Sequence, residues 1–183
     1  MTISAEEHHI IQDILDLNTK GSTHMLDAVM HNPVSNYADP EKLNQEINSL
    51  FRNFPIIIAH SSDLAETGDF MTHDATGMPI IVARTNDGTL KAFLNVCRHR
   101  GARLTDEPCG KARTFSCPYH AWTYGLDGKL RGIPQAFGFD TEDKAKLGLV
   151  EVPVFERFGM VWVVPSVQDQ DMDIDAWLAP MEE

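Results

Sequence analysis

The sequence has 183 residues, an apolar content of 43% and a formal net charge of −12 at pH 7. This length accommodates one ordinary hydrophobic core and hardly a second. The negative charge argues against nucleic acid as a partner, because binding to phosphates needs an excess of Lys and Arg. No run of about 18 apolar residues occurs, and the acidic N-terminus lacks a basic-then-apolar signal. We therefore expect a cytoplasmic protein that binds neither nucleic acid nor membrane.

The N-terminal third is predicted to be helical. A first amphipathic helix is predicted over residues 4–20, with Ser4 and Glu7 at the spacing of a capping box. A second short helix is predicted over residues 23–31. A third is predicted after Asp39-Pro40, which has the pattern of an N-cap followed by a helix-starting proline.

The apolar period changes from helical to strand-like at Pro55. Runs rich in Ile, Val and Phe are broken by Gly and Asn/Asp, which is typical of antiparallel strands. The predicted strands are residues 55–60, 69–73, 78–85, 89–96, 111–116, 122–124, 150–154 and 159–164. We interpret residues 1–54 as an N-terminal helical segment and residues 55–165 as a mainly β domain.

Two pairs of Cys and His stand next to predicted strands. One residue separates Cys97 from His99, and two separate Cys117 from His120. Two thiolates and two imidazoles suit a tetrahedral zinc ion. They also suit a Rieske 2Fe–2S cluster, in which the thiolates bind one iron and the imidazoles the other. A Cys and a His within each loop favours the cluster, because classical zinc fingers pair Cys with Cys and His with His. Both metal centres remain open at this point.

The segments Cys97-Arg98-His99-Arg100-Gly101 and Cys117-Pro118-Tyr119-His120-Ala121-Trp122 resemble the cluster site of Rieske-type oxygenases. These are the ring-hydroxylating dioxygenase large subunits and the related monooxygenases. The resemblance implies a Rieske iron–sulfur domain of antiparallel sheets with two cluster-binding hairpin loops, preceded by short N-terminal helices. It also implies a set of four ligands to a 2Fe–2S cluster. These ligands are Cys97, His99, Cys117 and His120.

The resemblance further implies a role in electron transfer. In such oxygenases the cluster takes electrons from a reductase or ferredoxin and passes them to a mononuclear iron held by two His and one carboxylate. Residues 121–183 contain no His, and the earlier spare His do not fit that motif. We therefore expect the mononuclear non-haem iron only in a catalytic domain outside this chain, with residues 166–183 as the linker towards it.

The leading hypothesis is one-electron transfer as the electron-accepting domain of an aromatic-ring-hydroxylating-type oxygenase. The chain itself would contain no catalytic residue, although the parent protein would be an oxidoreductase. The expected partners are the electron donor and the catalytic domain of the same or a neighbouring subunit. The parent protein would then form a homotrimer.

Two alternatives are kept. A stand-alone Rieske ferredoxin-like carrier would resemble residues 55–165, but such carriers usually lack a helical lead of 50 residues. A zinc-stabilised structural module is the third possibility. Trp177 and Leu178 are predicted to have little to pack against, which favours part of a larger subunit over the stand-alone carrier.

Residues 98–131 hold seven Lys/Arg and three acids and form a basic lobe in an otherwise acidic chain. Arg98, Arg100 and Arg103 of this lobe lie nearest to the first ligand pair in the sequence. We expect them to favour the reduced cluster and to help position an electron donor. The alternative is that they pair with local acids or only keep the lobe soluble.

Three further residues near the ligand pairs are interpreted structurally. Tyr119 and Trp122 are expected to be core aromatics that wall the cluster from water, and Cys109 to be a small loop or core residue. Respiratory-chain Rieske proteins carry an extra Cys in each ligand loop, forming a disulfide, where this sequence has Ala102 and Tyr119. We therefore expect a midpoint potential at the low end of the Rieske range, roughly −150 mV.

Overall fold

A computed structural model of the chain describes residues 3–25, 28–139, 143–167 and 172–181. Contacts divide the chain into two units, Met1–Asp39 and Pro40–Glu183. The third predicted helix lies in the second unit, together with the β strands. No helix among the described residues is long and apolar enough to cross a membrane.

The first unit begins with helix α1, Ala5–Lys20, close to the predicted bounds. The predicted capping box is present. The Ser4 hydroxyl accepts a hydrogen bond from the Glu7 N–H at 3.1 Å, and the Glu7 carboxylate accepts one from the Ser4 N–H at 2.6 Å. Gly21 ends the helix in the left-handed conformation, with φ of 59°.

A second, four-residue helix in this unit is α2, Ser35–Ala38. The helix predicted over residues 23–31 is absent from the described part of that range, and Leu26 and Asp27 lie outside the described residues. Helices this short are marginal in water unless packing supports them. The described residues of 23–31 are exposed, so they have no such support.

The second unit starts with helix α3, Pro40–Glu46, which continues as a π-helical segment, Ile47–Phe51. The helix begins at the proline, as the sequence predicted. Arg52 then donates from Nε to the carbonyl oxygen of Thr76 at 2.9 Å. This hydrogen bond connects the end of the helix to the β region of the same unit.

The rest of the second unit is mainly β, as predicted. The described strands are β1 Ile56–His60, β2 Asp69–His73, β3 Ile80–Arg84, β4 Leu90–Leu94, β5 Cys109–Lys111, β6 Thr114–Ser116, β7 Thr123–Gly125, β8 Leu130–Gly132, β9 Glu151–Val152, β10 Val154–Arg157 and β11 Met160–Val163. They form three antiparallel sheets, ordered β1-β11-β10, β5-β2-β3-β4-β9 and β6-β7-β8. The predicted strand over residues 111–116 is divided between two of these sheets.

The five-stranded sheet lies between two apolar clusters. Along β3, Ile80 and Val82 belong to the cluster shared with β1 and β11, while Ile81 and Ala83 belong to the cluster shared with β6 and β7. This alternation follows from the two-residue period of a strand. All five residues of β3 are buried, and the first four, residues 80–83, make both faces of the strand apolar. The second cluster includes Cys97 and supports the predicted site.

The C-terminal segment packs on the first sheet. Helix α4, Ile174–Leu178, buries Ile174 and Leu178 against Trp162, and Trp177 meets the Trp162 ring edge-on at 6.0 Å between centroids. Arg157 donates to the Asp175 carboxylate at 3.0 Å. The prediction that Trp177 and Leu178 have little to pack against is therefore wrong. Strand β11 turns Trp162 away from the main core, and this supplies the apolar surface.

Candidate metal centre

The four predicted ligands lie on two loops. The first ligand loop, residues 97–102, follows β4, and the second ligand loop, residues 117–122, joins β6 to β7. Cys97 and Cys117 are buried, with 2% and 4% of their surface exposed. His99 and His120 are half-buried. Each loop thus holds its thiol inside and its imidazole nearer to the surface.

Both loops are closed by the same backbone hydrogen bond. The Cys97 N–H donates to the carbonyl oxygen of Ala102 at 2.8 Å, and the Cys117 N–H donates to that of Trp122 at 2.8 Å. In both cases the acceptor lies five residues after the cysteine. The backbones of the two cysteines therefore make the same hydrogen bond. The sequence did not reveal this likeness, because one residue separates Cys97 from His99 and two separate Cys117 from His120.

A second hydrogen bond is also shared. The carbonyl oxygen of Cys97 accepts from the Gly101 N–H at 3.0 Å, and that of Cys117 accepts from the Ala121 N–H at 2.9 Å. Gly101 and Ala121 are both left-handed, with φ of 72° and 54°. Glycine adopts this conformation freely, whereas alanine does so at a cost. Gly101 makes this turn after His99, and Ala121 makes the same turn without a glycine.

The two imidazole rings are adjacent and meet edge to face. Their ring centroids are 4.8 Å apart at an interplanar angle of 67°. Nδ1 of His120 is buried and has no hydrogen-bond partner, and a metal ion at this atom would satisfy it. Burial of the His99 ring, with the charges of His120 and Arg100 adding to it, lowers the pKa of His99. A lowered pKa favours the neutral imidazole that binds metals.

The donor set fits a binuclear centre. Among the described residues, no group of three or more His, Cys, Asp or Glu side chains is placed to hold one metal ion. A Rieske cluster asks for two protein side chains at each iron, because bridging sulfides complete the coordination. Two buried thiols and two adjacent imidazoles are ligands of the types that this centre takes.

Aromatic rings shield His99 on two sides. Trp122 is 3% exposed and stacks on the His99 ring at 4.9 Å between centroids, with an interplanar angle of 5°. Phe139 approaches both rings edge-on, at 5.9 Å from His99 and 5.1 Å from Trp122. The expected wall is therefore present at Trp122. Phe139 was not predicted, since it lies 40 residues from His99 in the sequence.

The expectation of a core position for Tyr119 is wrong. Its side chain is 59% exposed. The ring lies against that of His120, 3.9 Å between centroids, and the Arg100 guanidinium carbon is 6.0 Å from the ring centroid. Tyr119 occupies the tip of the second ligand loop, where no sheet covers it.

Tyr124 is a site residue that the sequence analysis missed. Its hydroxyl oxygen lies 3.4 Å from Cys97 Sγ and accepts a hydrogen bond from the Arg98 N–H at 3.0 Å. The hydroxyl proton is consequently available to the sulfur. Burial, followed by the contact with Cys97, raises the pKa of Tyr124, so the phenol stays protonated. The available signal was that a buried tyrosine needs a hydrogen-bond partner.

Arg98, Arg100 and Arg103 of the basic lobe differ in whether their charge is paired. Arg103 donates two hydrogen bonds to the Asp74 carboxylate, at 2.7 and 3.0 Å, and its charge is thereby paired. Arg98 and Arg100 are exposed, and neither forms an ion pair within the described ranges. The alternative of pairing with local acids therefore holds for Arg103.

Cys109 lies in β5, where it pairs with Met71 of β2 and is exposed. It is therefore neither a loop nor a core residue. Its position differs from that of the two buried ligand-loop cysteines.

Comparison with protein families identifies this arrangement. Residues 54–155 match the model of the Rieske [2Fe-2S] domain. The chain belongs to the Rieske domain family. This membership accounts for two loops that each carry one Cys and one His, and it favours a 2Fe–2S cluster over the zinc ion that the residues alone left open.

Relatives of this Rieske domain are oxygenase components. The large oxygenase component of the naphthalene 1,2-dioxygenase system of Pseudomonas aeruginosa is 35% identical over 154 residues, which cover 79% of this chain and 34% of the relative. The glycine betaine monooxygenase oxygenase subunit of Chromohalobacter salexigens is 37% identical over 147 residues, covering 80% and 32%. The chain thus spans about a third of the length of these curated relatives.

Solved structures agree with the fold of the Rieske domain. The quaternary ammonium Rieske monooxygenase CntA, in complex with γ-butyrobetaine, has a TM-score of 0.70 and 33% identity, covering 80% of this chain and 41% of that chain. Naphthalene 1,2-dioxygenase with indole bound has a TM-score of 0.68 and 34% identity, covering 79% and 34%.

Proposed function

We propose that this Rieske domain accepts one electron from a reductase or ferredoxin and delivers it to a mononuclear non-haem iron, as the electron-accepting part of an oxygenase large component. The observation that carries the proposal is the pair of buried thiols together with two imidazoles whose ring centroids are 4.8 Å apart. The relatives named as oxygenase components support the same role. The family match and these relatives do not favour a stand-alone carrier.

The proposed ligands are Cys97 and Cys117 for one iron and His99 and His120 for the other. When bound, the cluster supplies a one-electron couple that is neutral when oxidised and carries −1 when reduced, because two thiolates and two sulfides balance two ferric ions. The buried cysteines would keep the iron that they bind away from water. The half-buried histidines would keep the other iron nearer to the surface, where an electron partner can approach.

The surrounding residues assist in separate ways. Tyr124 offers its proton to Cys97 Sγ and so withdraws negative charge from the thiolate. Trp122 and Phe139 exclude water from the His99 ring. Arg98 and Arg100, without carboxylate partners among the described residues, attract a negatively charged donor to the first ligand loop.

The proposed acceptor is the mononuclear iron of a catalytic domain in the same or a neighbouring subunit. One solved relative, a quaternary ammonium Rieske monooxygenase with 31% identity and a TM-score of 0.71, is described as giving insight into inter-subunit electron transfer. We extend that arrangement to a homotrimeric parent of this chain, located in the cytoplasm. The relatives are named for different substrates, naphthalene for one and glycine betaine for another.

Metal analysis and spectroscopy of the purified chain test the proposal. We expect about two irons and two acid-labile sulfides per chain, and after reduction an electron paramagnetic resonance (EPR) signal of a cluster with mixed Cys and His ligation. A colourless preparation with one zinc and no iron would establish the zinc module instead. Redox titration adds a second check, since a midpoint potential above zero would contradict the expected value of roughly −150 mV.

A further inference from the structure

The two ligand loops differ in how their flanking segments are joined. β6 and β7 pair on either side of the second ligand loop, with Ser116 opposite Thr123. β4, which leads into the first ligand loop, pairs with β3 and β9 instead. The residues that leave the first loop, 103–108, form no strand. A backbone ladder therefore closes the second loop but not the first.

The side chain of Asn95 takes the place of the missing ladder. Its Nδ2 donates to the carbonyl oxygen of Thr105 at 2.8 Å. Its Oδ1 accepts from the N–H groups of Leu104 and Thr105, at 3.2 and 3.3 Å. One amide thus connects the residue two positions before Cys97 to the segment that leaves the loop.

Asn95 is itself firmly held. It is completely buried, at 0% exposure, and its N–H donates to the carbonyl oxygen of Pro79 at 2.8 Å. Leu104, at the other end of these bonds, is buried in the cluster that includes Cys97. Because a buried polar group that loses its partner is costly, this amide cannot release the loop without a penalty.

We propose that Asn95 is a positioning residue that holds the first ligand loop closed and thereby presents Cys97 and His99 to the cluster. The inference rests on the ligand set proposed above. Since Cys97 and His99 bind different irons in that set, a change at Asn95 alters both halves of the centre. A residue that only stabilised the fold would leave the spectrum and the potential of the folded protein unchanged.

Asn95→Ala in the 183-residue chain tests this role. We expect the variant to release iron to a chelator about tenfold faster than the wild type, the factor that corresponds to one lost buried hydrogen bond. We also expect altered EPR g values and a shifted midpoint potential. The matched control is Ser116→Ala, which removes the 2.9 Å bond to Thr123 from a loop whose strands stay paired. Its release rate should stay within about twofold of the wild type.

If the alanine variant does not fold, Asn95→Ser is the test variant. The serine side chain is shorter than that of asparagine, so its hydroxyl cannot reach both Leu104 and Thr105. Wild-type release and wild-type EPR values in the serine variant would overturn the inference. So would an equally large effect of Ser116→Ala. A wild-type chain without iron would refute the ligand set itself, and the Asn95 inference with it, before any variant is made.

Discussion

The first and second ligand loops share their backbone hydrogen bonds but rest on different supports. Paired strands flank the second loop, and its left-handed position is filled by Ala121. The first loop is joined by the amide of Asn95, and its left-handed position is filled by Gly101. The same cysteine turn can therefore be built on a ladder or on one buried side chain. The two solutions differ in which substitutions they tolerate.

The chemical surroundings of the two cysteines also differ. Cys97 Sγ has the Tyr124 hydroxyl at 3.4 Å. In the described part of the chain, no side chain makes a hydrogen bond to Cys117 Sγ. The first loop also exposes Arg98 and Arg100, whereas the second exposes Tyr119. Charge and hydrogen bonding are thus concentrated on the first loop, and this loop should have the larger influence on electron transfer.

Substitution of either ligand-loop cysteine should have the largest effect, and it tests whether both loops are needed for iron binding. Cys97→Ser and Cys117→Ser should each abolish iron binding, because each removes half of the thiolate ligands of one iron. Iron content of the purified variants gives the answer. Cys109→Ser is the control, since Cys109 is exposed in β5, and it should keep the full iron content. A chain that retained its iron without Cys117 would show that the loops are not equivalent.

Charge reversal on the first loop tests its exposed arginines. The double variant Arg98→Glu, Arg100→Glu should slow reduction by an acidic ferredoxin-type donor by about tenfold at low salt, because it removes electrostatic steering. The dependence of the rate on ionic strength should weaken as well. Stopped-flow absorbance measures both quantities.

Arg103→Gln is the matched control for that experiment, because Asp74 already pairs the charge of Arg103. It should leave the salt dependence as in the wild type. Unchanged kinetics in the double variant would reject the steering role.

Tyr124→Phe tests the hydrogen bond that only Cys97 receives. Loss of the phenol proton should lower the midpoint potential by about 60 mV, the shift that a tenfold change in a one-electron equilibrium produces. The reason is that the hydrogen bond stabilises the more negative, reduced centre. Redox titration followed by absorbance measures the shift. A potential equal to that of the wild type would mean that the phenol binds only the Arg98 N–H.

Exchange of the left-handed residues should have the smallest effect. Gly101→Ala should destabilise the protein by about 1 kcal/mol, because an L-residue is strained at φ of 72° although its Cβ would meet no atom within 4 Å. Ala121→Gly should change stability by less than about 0.5 kcal/mol, since relief of strain is offset by the added freedom of the unfolded chain. Urea unfolding of both variants measures the difference. Equal and opposite shifts would contradict this account.

The strands and ligand loops could be predicted because their signals are local. The continuous apolar run of β3 and the glycine at position 101 each indicate a local structure within a few residues of themselves. The split between β5 and β6 could not be predicted. It depends on a contact that is distant in sequence. The Ala112 N–H donates to the carbonyl oxygen of Gly68, the residue before β2, and at this point the chain passes from one sheet to the next.

The supporting residues of the site were missed for a related reason. Tyr124 reaches Cys97 across 27 positions of sequence, and Phe139 reaches His99 across 40. A tyrosine or a phenylalanine gives no sign in the sequence that it lies beside a metal ligand. Asn95 looked like the end of a strand, and only the conformation of residues 103–108 shows why its amide is needed.

The three tryptophans are divided between two places, and this offers a direct optical readout. Trp122 stacks on a proposed iron ligand, where emission would be quenched by a bound metal centre. Trp177 lies in helix α4, where its ring meets that of Trp162 in β11. Binding of a metal centre would therefore change the fluorescence of Trp122, whereas separation of α4 from β11 would change that of Trp162 and Trp177. The two events can be followed in one sample without a label.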